Sequence, residues 1–318
     1  MRQQEPDSAG KAPQGLREAE KANIPFLAAL AGALRRCSSL VWLATRRSER
    51  LALHPASAPK NGTLAISASL STLLAQQPVR AVGILAVSVI GWVFLAWIAV
   101  DMSHPLAQLT MPDSSSWSAA SVLAIWLMWA LMMAAMMLPS ALPMILTFVN
   151  LSLRSGEPAR GHSFVTAYLL VWFIFSAGAT AAQWALQAMG WVNPMIVSTS
   201  TVLTALLLLI AGVYQFSRLK HVCLSRCRTP LGFLLGEWRA GVRGAFVMGL
   251  RHGLFCVGCC WALMALLFVG GVMNLAWIAA LSIAVAIEKL APRGERLAAA
   301  LGLGLIVAGL VKLLALAI

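Results

Sequence analysis

The chain has 318 residues, 60% of them apolar and only 11% charged, against about 25% charged in an ordinary soluble domain. Such scarcity excludes a water-soluble fold of this size. The net charge of +13 points towards nucleic acid only until the charges are located: sixteen of the 35 lie in residues 1–80, seven lie between Arg218 and Arg243, and none lies in the 57 residues from Gly161 to Ser217. A nucleic-acid groove needs clustered cations with aromatics on one folded surface, so no nucleic-acid partner is expected. The composition predicts an all-α, polytopic helical membrane protein whose partner is the lipid bilayer.

In chain order, residues 1–79 form a basic cytoplasmic segment distinct from the helical transmembrane domain of residues 80–318. From Ile24 to Leu53 the apolar residues are interrupted by Arg35, Arg36, Arg46, Arg47 and Arg50. That pattern reads as disordered chain or as an amphipathic helix on an anionic leaflet. No charge-free core follows Met1 closely, so no secretory signal peptide is expected. A membrane helix needs about 20 mostly apolar residues, and the charge-free runs supply seven. They cover about 81–100, 118–148, 164–189, 195–216, 245–270, 272–288 and 297–316. The long uncharged stretch is divided at Gly190-Trp191-Val192-Asn193-Pro194, because Gly and Pro disfavour helix continuation.

Orientation follows from Lys and Arg, which stay on the cytoplasmic side. Eleven precede the first span, Arg154 and Arg160 lie between spans two and three, and Arg218, Lys220, Arg226, Arg228, Arg239 and Arg243 lie between four and five. Lys289, Arg293 and Arg296 lie between six and seven, and the alternate loops have none. The N-terminus is therefore expected inside, in a multi-pass protein of a bacterial plasma (inner) membrane.

Of six cysteines, five carry the chemistry, and Cys37 reads as incidental. Cys37 stands alone in the N-terminal segment. Cys223 and Cys227 lie with His221 in the basic loop, where a reducing compartment disfavours a structural disulfide. Cys256, Cys259 and Cys260 lie inside the fifth span with His252. On a helix, positions i, i+4 and i+8 share a face, so His252, Cys256 and Cys260 point to one side with Cys259 beside them. At about 1.5 Å per residue, Cys256 is roughly 15 Å from a cytoplasmic start near Ala245, close to the middle of the bilayer. One such cysteine reads as a small packing group; three within five residues, one turn from a histidine, read as ligands.

The second span adds thioethers. Met128, Met132 and Met136 again follow i, i+4 and i+8, with Met133 and Met137 beside them. Methionine alone fills gaps in packed helices, but thioether and thiolate donors together favour Cu(I). Pro139 and Pro143 free backbone carbonyls in the same helix, and Gly249-x-x-x-Gly253 permits close helix approach. Met273 and Asn274 at the outer turn read equally as a mouth of a metal path or as a tight hairpin. Asp101, His104 and Asp113 read as a solvated outer loop, with cation collection as the alternative.

Several runs have a familiar form: Trp129 to Ser140 (WALMMAAMMLPS), Leu219 to Pro230 (LKHVCLSRCRTP), Met248 to Met264 (MGLRHGLFCVGCCWALM), Phe268 to Trp277 (FVGGVMNLAW), and Glu288-Lys289. Over about residues 80–315 the chain resembles a family of predicted metal-binding integral membrane proteins known as domain of unknown function 2182. The resemblance implies a metal role for His221, Cys223, Cys227, His252, Cys256, Cys259, Cys260, Met273 and Asn274.

The expectation is a metal-handling membrane protein that is not an enzyme. It binds or moves a soft ion such as Cu(I) through His221, Cys223, Cys227, His252, Cys256, Cys259, Cys260, Met132, Met133, Met136, Met137 and Met273, and exchanges it with a metal-donating or metal-accepting protein. There is no Walker or aspartyl-phosphate motif. A membrane thiol oxidoreductase linking the loop and span cysteines is one alternative, although the loop spacing is C-x3-C and no quinone or flavin motif is visible. A scaffold or assembly factor whose cysteines only pack is the other.

Overall fold

The computed structural model describes residues 78–112 and 117–317. Cys37, Asp113 and the proposed amphipathic stretch Ile24 to Leu53 lie outside the described residues. Eleven helices follow in chain order: α1 Pro78–Val100, α2 Pro105–Thr110, α3 Ala119–Arg154, α4 Pro158–Ala188, α5 Thr201–Tyr214, α6 Arg218–Arg228, α7 Pro230–Glu237, α8 Gly241–Ala265, α9 Leu267–Gly270, α10 Leu275–Leu290 and α11 Gly294–Ala317. Among the described residues there is no strand, and one isolated bridge joins Val192 to Ser198. The all-α expectation holds for them.

Five helices are long and apolar enough to cross a membrane: Pro78–Val100, Ala119–Arg154, Pro158–Ala188, Gly241–Gly270 and Gly294–Leu316. The number rises to six if α5 and α6, bent by 64°, form one broken span. These helices agree with a membrane protein, while the fourth expected span is shorter than the sequence suggests and the sixth is short, as its run implies. The fourth begins at Thr201 rather than near 195. Residues 189–200 keep their backbone bonds in an ordered loop instead: Asn193 Oδ1 accepts from Val197 N at 2.9 Å, and Ser198 N donates to Phe268 O at 2.9 Å. Ser200 then caps the first turn of α5 through Leu203 N, a standard use of serine at a helix start. The sixth run becomes α10, 16 residues and about 24 Å long.

Helix α8 lies against α4, and α3 packs on α4 and α1, while α5 pairs with α11. The α4–α8 contact explains the Gly-x-x-x-Gly pair. A Cβ on Gly249 would meet the Phe164 carbonyl oxygen and stand 2.8 Å from Ala167 Cβ, and one on Gly253 would stand 2.9 Å from Val171 Cβ. Absent side chains let the two backbones close up, which draws Tyr168 of α4 onto the cysteine face of α8. Trp129 of α3 adds a buried hydrogen bond from Nε1 to Gln183 Oε1 of α4, 2.9 Å long.

Two lysines assigned to loops in the sequence are buried. Lys220 of α6 is 1% exposed and Lys289 of α10 is 6% exposed. Each sits in a helix that turns its polar residue inward. Lys220 meets Glu288 at 2.6 Å, and Arg228 holds the end of α10 through Ala291 O at 2.7 Å. These contacts dock α6 against α10, so the basic loop between spans four and five is an ordered helical cap over α8 and α10.

Candidate metal centre

Helix α8 forms one wall of the centre. His252, Cys256, Cys259 and Cys260 are all buried, as the helical spacing predicts. Their sulfurs differ in role. Cys259 Sγ donates to Cys256 O at 3.1 Å, and Cys260 Sγ donates to the same carbonyl at 2.9 Å. Cys256 Sγ instead receives Lys289 Nζ at 3.1 Å and lies 3.2 Å from the Tyr168 hydroxyl. It is the sulfur that faces the Lys289 ammonium rather than a backbone carbonyl.

Helix α6 forms the second wall. His221 and Cys223 are two positions apart, hence about 200° around the helix, and they separate accordingly: His221 is exposed and Cys223 is buried. Cys223 Sγ would lie 2.7 Å from a Cβ at Gly258, so it packs directly on α8. Cys227 is half-buried, and its thiol lies close enough to Cys256 and Cys259 to interact electrostatically with both. Cys227 of α6 thus joins the cysteines of α8, which the sequence spacing leaves undetermined. No disulfide joins the described cysteines.

The third wall is α3. Met132, Met133, Met136 and Met137 are all fully buried, but Met137 is the one whose sulfur approaches polar groups of the centre. Its Sδ is 3.9 Å from Cys260 Sγ and 3.8 Å from Lys289 Nζ. The carbonyl of Met137 accepts from Ser140 Oγ at 2.9 Å and from Tyr168 at 3.4 Å. Ser140 Oγ in turn lies 3.1 Å from Lys289 Nζ.

His252 sits one turn below Cys256 among rings, with centroids 5.6 Å from Tyr168, 5.9 Å from Phe164 and 5.4 Å from Phe233. Its Nδ1 is buried with no hydrogen-bond partner among the described residues. Such an atom is costly to bury unless something meets it.

The outer features behave differently. Met273 is half-buried, and Asn274 Oδ1 accepts from Trp277 N at 3.1 Å to cap α10, the tight-hairpin use of that turn. His104 Nδ1 accepts from Leu106 N at 3.2 Å as the cap of α2, and Asp101 Oδ1 accepts from Ser103 at 2.6 Å.

Lys289, Tyr168 and Ser140 are members of the centre that the sequence reading misses. A Glu-Lys pair at the end of an apolar run is the available signal: one residue apart, its side chains diverge by about 100° on a helix, so both cannot face the same water. Tyr168 has no such mark.

Among the described residues no group of three or more His, Cys, Asp or Glu side chains is already gathered in a form that holds a metal ion. What converges is a pair of cysteines from two helices, a thioether and a fixed ammonium. Thiolate and thioether donors are the class that selects Cu(I) over harder ions, and two sulfurs suffice for the low coordination numbers that ion accepts. The donor set therefore suits a soft monovalent cargo.

Neither the curated proteins nor the solved structures yield a match to this chain. One protein family does match: PpoB2, described as a copper chaperone, covers residues 126–312, the interval that contains α4 through α10 and the methionines of α3. With more than half of its length inside that match, the chain belongs to this copper chaperone family.

Proposed function

We propose that the chain is a membrane-embedded Cu(I) carrier. It takes the ion on a sulfur site between α6 and α8 and passes it to a protein acceptor. The observation that carries this reading is the approach of Cys227 on α6 to within electrostatic range of Cys256 and Cys259 on α8. Cys227 is half-buried while the other two are buried, so the three form a step from the protein's edge inward. Copper handling follows from the family; the ligands, the membrane path and the transfer partner are our reading. Cys227 and Cys256 hold the ion, Cys259, Cys260 and Met137 are positioned to share it, and His252 offers an imidazole nitrogen one turn away. His221, being exposed, is suited to first capture, and Met273 to the opposite face.

The topology belongs to the same proposal. Seven crossings with the N-terminus in the cytoplasm of a bacterial cell agree with Arg154, Arg218, Arg226, Arg239, Arg243, Arg293 and Arg296, even with Lys220 and Lys289 removed from the tally. Residues 1–79 then form a cytoplasmic extension to a transmembrane domain of residues 80–318. The resemblance to domain of unknown function 2182 supports His221, Cys227, His252, Cys256, Cys259, Cys260 and Met273 among these positions.

Purified full-length protein loaded anaerobically with Cu(I) tests the reading. Wild type is expected to retain a stoichiometric ion, and Cys227→Ser or Cys256→Ser to lose it. Equal copper content in wild type and both variants overturns the site.

A further inference from the structure

The sulfur centre contains one fixed positive charge. Lys289 is buried, and its Nζ is held by Cys256 Sγ at 3.1 Å, Ser140 Oγ at 3.1 Å and Met137 Sδ at 3.8 Å. The adjacent carboxylate does not serve it. Glu288 pairs with Lys220 at 2.6 Å and accepts from Gln215 Nε2 at 2.9 Å, which neutralises that charge separately. The ion pairs among the described residues join Arg160 to Glu157, Lys220 to Glu288 and Arg251 to Glu237. Lys289 is in none of them. A buried ammonium without a counter-charge is strongly unfavourable, and of the three side chains that touch this one, Cys256 is the one whose atom can become anionic.

We infer that Lys289 selects the cargo by charge, as a specificity-determining residue that favours a monovalent ion over a divalent one. The inference rests on the proposal that Cys227 and Cys256 hold the metal. On loading, each of these thiols releases a proton to water as its sulfur–metal bond forms, and no electrons move. Two thiolates, one monovalent ion and one ammonium then sum to zero. A divalent ion in the same two-sulfur site leaves a net positive charge in a low-dielectric interior, where like charges a few ångströms apart repel strongly. Softness alone does not separate Cu(I) from Cd(II), because both favour sulfur. The fixed ammonium does, and it acts before any ligand geometry is considered. The neutral neighbours Tyr168, Ser140 and Met137 leave that charge uncompensated until the thiolates form.

The test uses purified full-length protein in detergent with Ag(I), a monovalent thiophile, and Cd(II), a divalent one. Each is competed against dithiothreitol, so the Ag(I)-to-Cd(II) preference is read relative to a free dithiol. Wild type is expected to exceed the dithiothreitol preference by about tenfold or more, the order that one buried charge imposes. Lys289→Met should fall to the dithiothreitol ratio, and Lys289→Arg should keep the wild-type ratio. A wild-type preference no greater than that of dithiothreitol overturns the inference, and so does a folded Lys289→Met that keeps it. If Lys289→Met fails to fold, the wild-type ratio still decides. Failure of the underlying site reads differently: Cys227→Ser and Cys256→Ser would then bind Cu(I) and Ag(I) as wild type does.

Discussion

The Lys220 ammonium and the Glu288 carboxylate meet at 2.6 Å, with their side chains 1% and 3% exposed. This pair joins α6 to α10 and so holds Cys227 over α8. Removing one member of a buried pair leaves the other charge stranded and costs about 3–5 kcal/mol, whereas removing both charges is far milder. Lys220→Met is therefore expected to lower the thermal midpoint of the detergent-solubilised protein sharply. Lys220→Met combined with Glu288→Gln should recover most of the loss, because the amide oxygen still accepts from Gln215. Equal midpoints for the single and double variants would show that the pair does not hold the cap.

The Gly249 contact makes a prediction about packing. A Cβ there would lie 3.0 Å from the Phe164 carbonyl carbon and 2.8 Å from Ala167 Cβ, with backbone on one side that cannot yield. Overpacking of this kind costs about 1–3 kcal/mol. Gly249→Ala should lower the thermal midpoint. Gly178→Ala on α4 is the control: no heavy atom lies within 4 Å of the added Cβ, and alanine is the better helix former by up to about 1 kcal/mol. A midpoint unchanged in Gly249→Ala would mean that α4 and α8 can separate without loss.

How much of this was readable beforehand depends on the kind of signal. The cysteine face of α8 was legible because helical periodicity alone sets which of His252, Cys256, Cys259 and Cys260 point together. The long spans were legible because apolar runs have few alternatives. The start of α5 was not, since Asn193 and Ser198 satisfy the backbone of 189–200 through contacts that charge counting does not register. Nor was the burial of Lys220 and Lys289. A cation at the end of an apolar run looks the same in sequence whether it faces water or a sulfur, and only the packing of α6 and α10 decides. The meeting of Cys227 with Cys256 depends on the bend between α5 and α6, a tertiary property with no local mark.

Cys223 and Cys227 give a discriminating pair. Both lie on α6, but Cys223 packs on the backbone at Gly258 while Cys227 lies within electrostatic range of Cys256 and Cys259. Cys223→Ala is expected to keep full Cu(I) stoichiometry and to cost about 1 kcal/mol of stability from the small cavity. Cys227→Ala should lose Cu(I) with little change in thermal midpoint. Copper analysis beside thermal unfolding separates the two effects; loss of copper in Cys223→Ala alone would reverse the assignment.

The methionines of α3 offer the sharpest separation between packing and ligation. Met132, Met133, Met136 and Met137 are all fully buried, and Met→Leu keeps volume closely enough that each exchange should cost less than about 1.5 kcal/mol. Leucine has no sulfur, so a loss of copper affinity beyond the stability change reports a thioether ligand. Met137 Sδ is 3.9 Å from Cys260 Sγ and shares the Lys289 ammonium with Cys256 Sγ. Met137→Leu is therefore expected to weaken Cu(I) binding about tenfold or more in a competition titration, a loss of about 1.4 kcal/mol. Met132→Leu, Met133→Leu and Met136→Leu should leave the affinity within about twofold, because their sulfurs serve the packed core. If Met137→Leu matches those three, the ion rests on cysteine alone and the stripe on α3 is packing along its whole length.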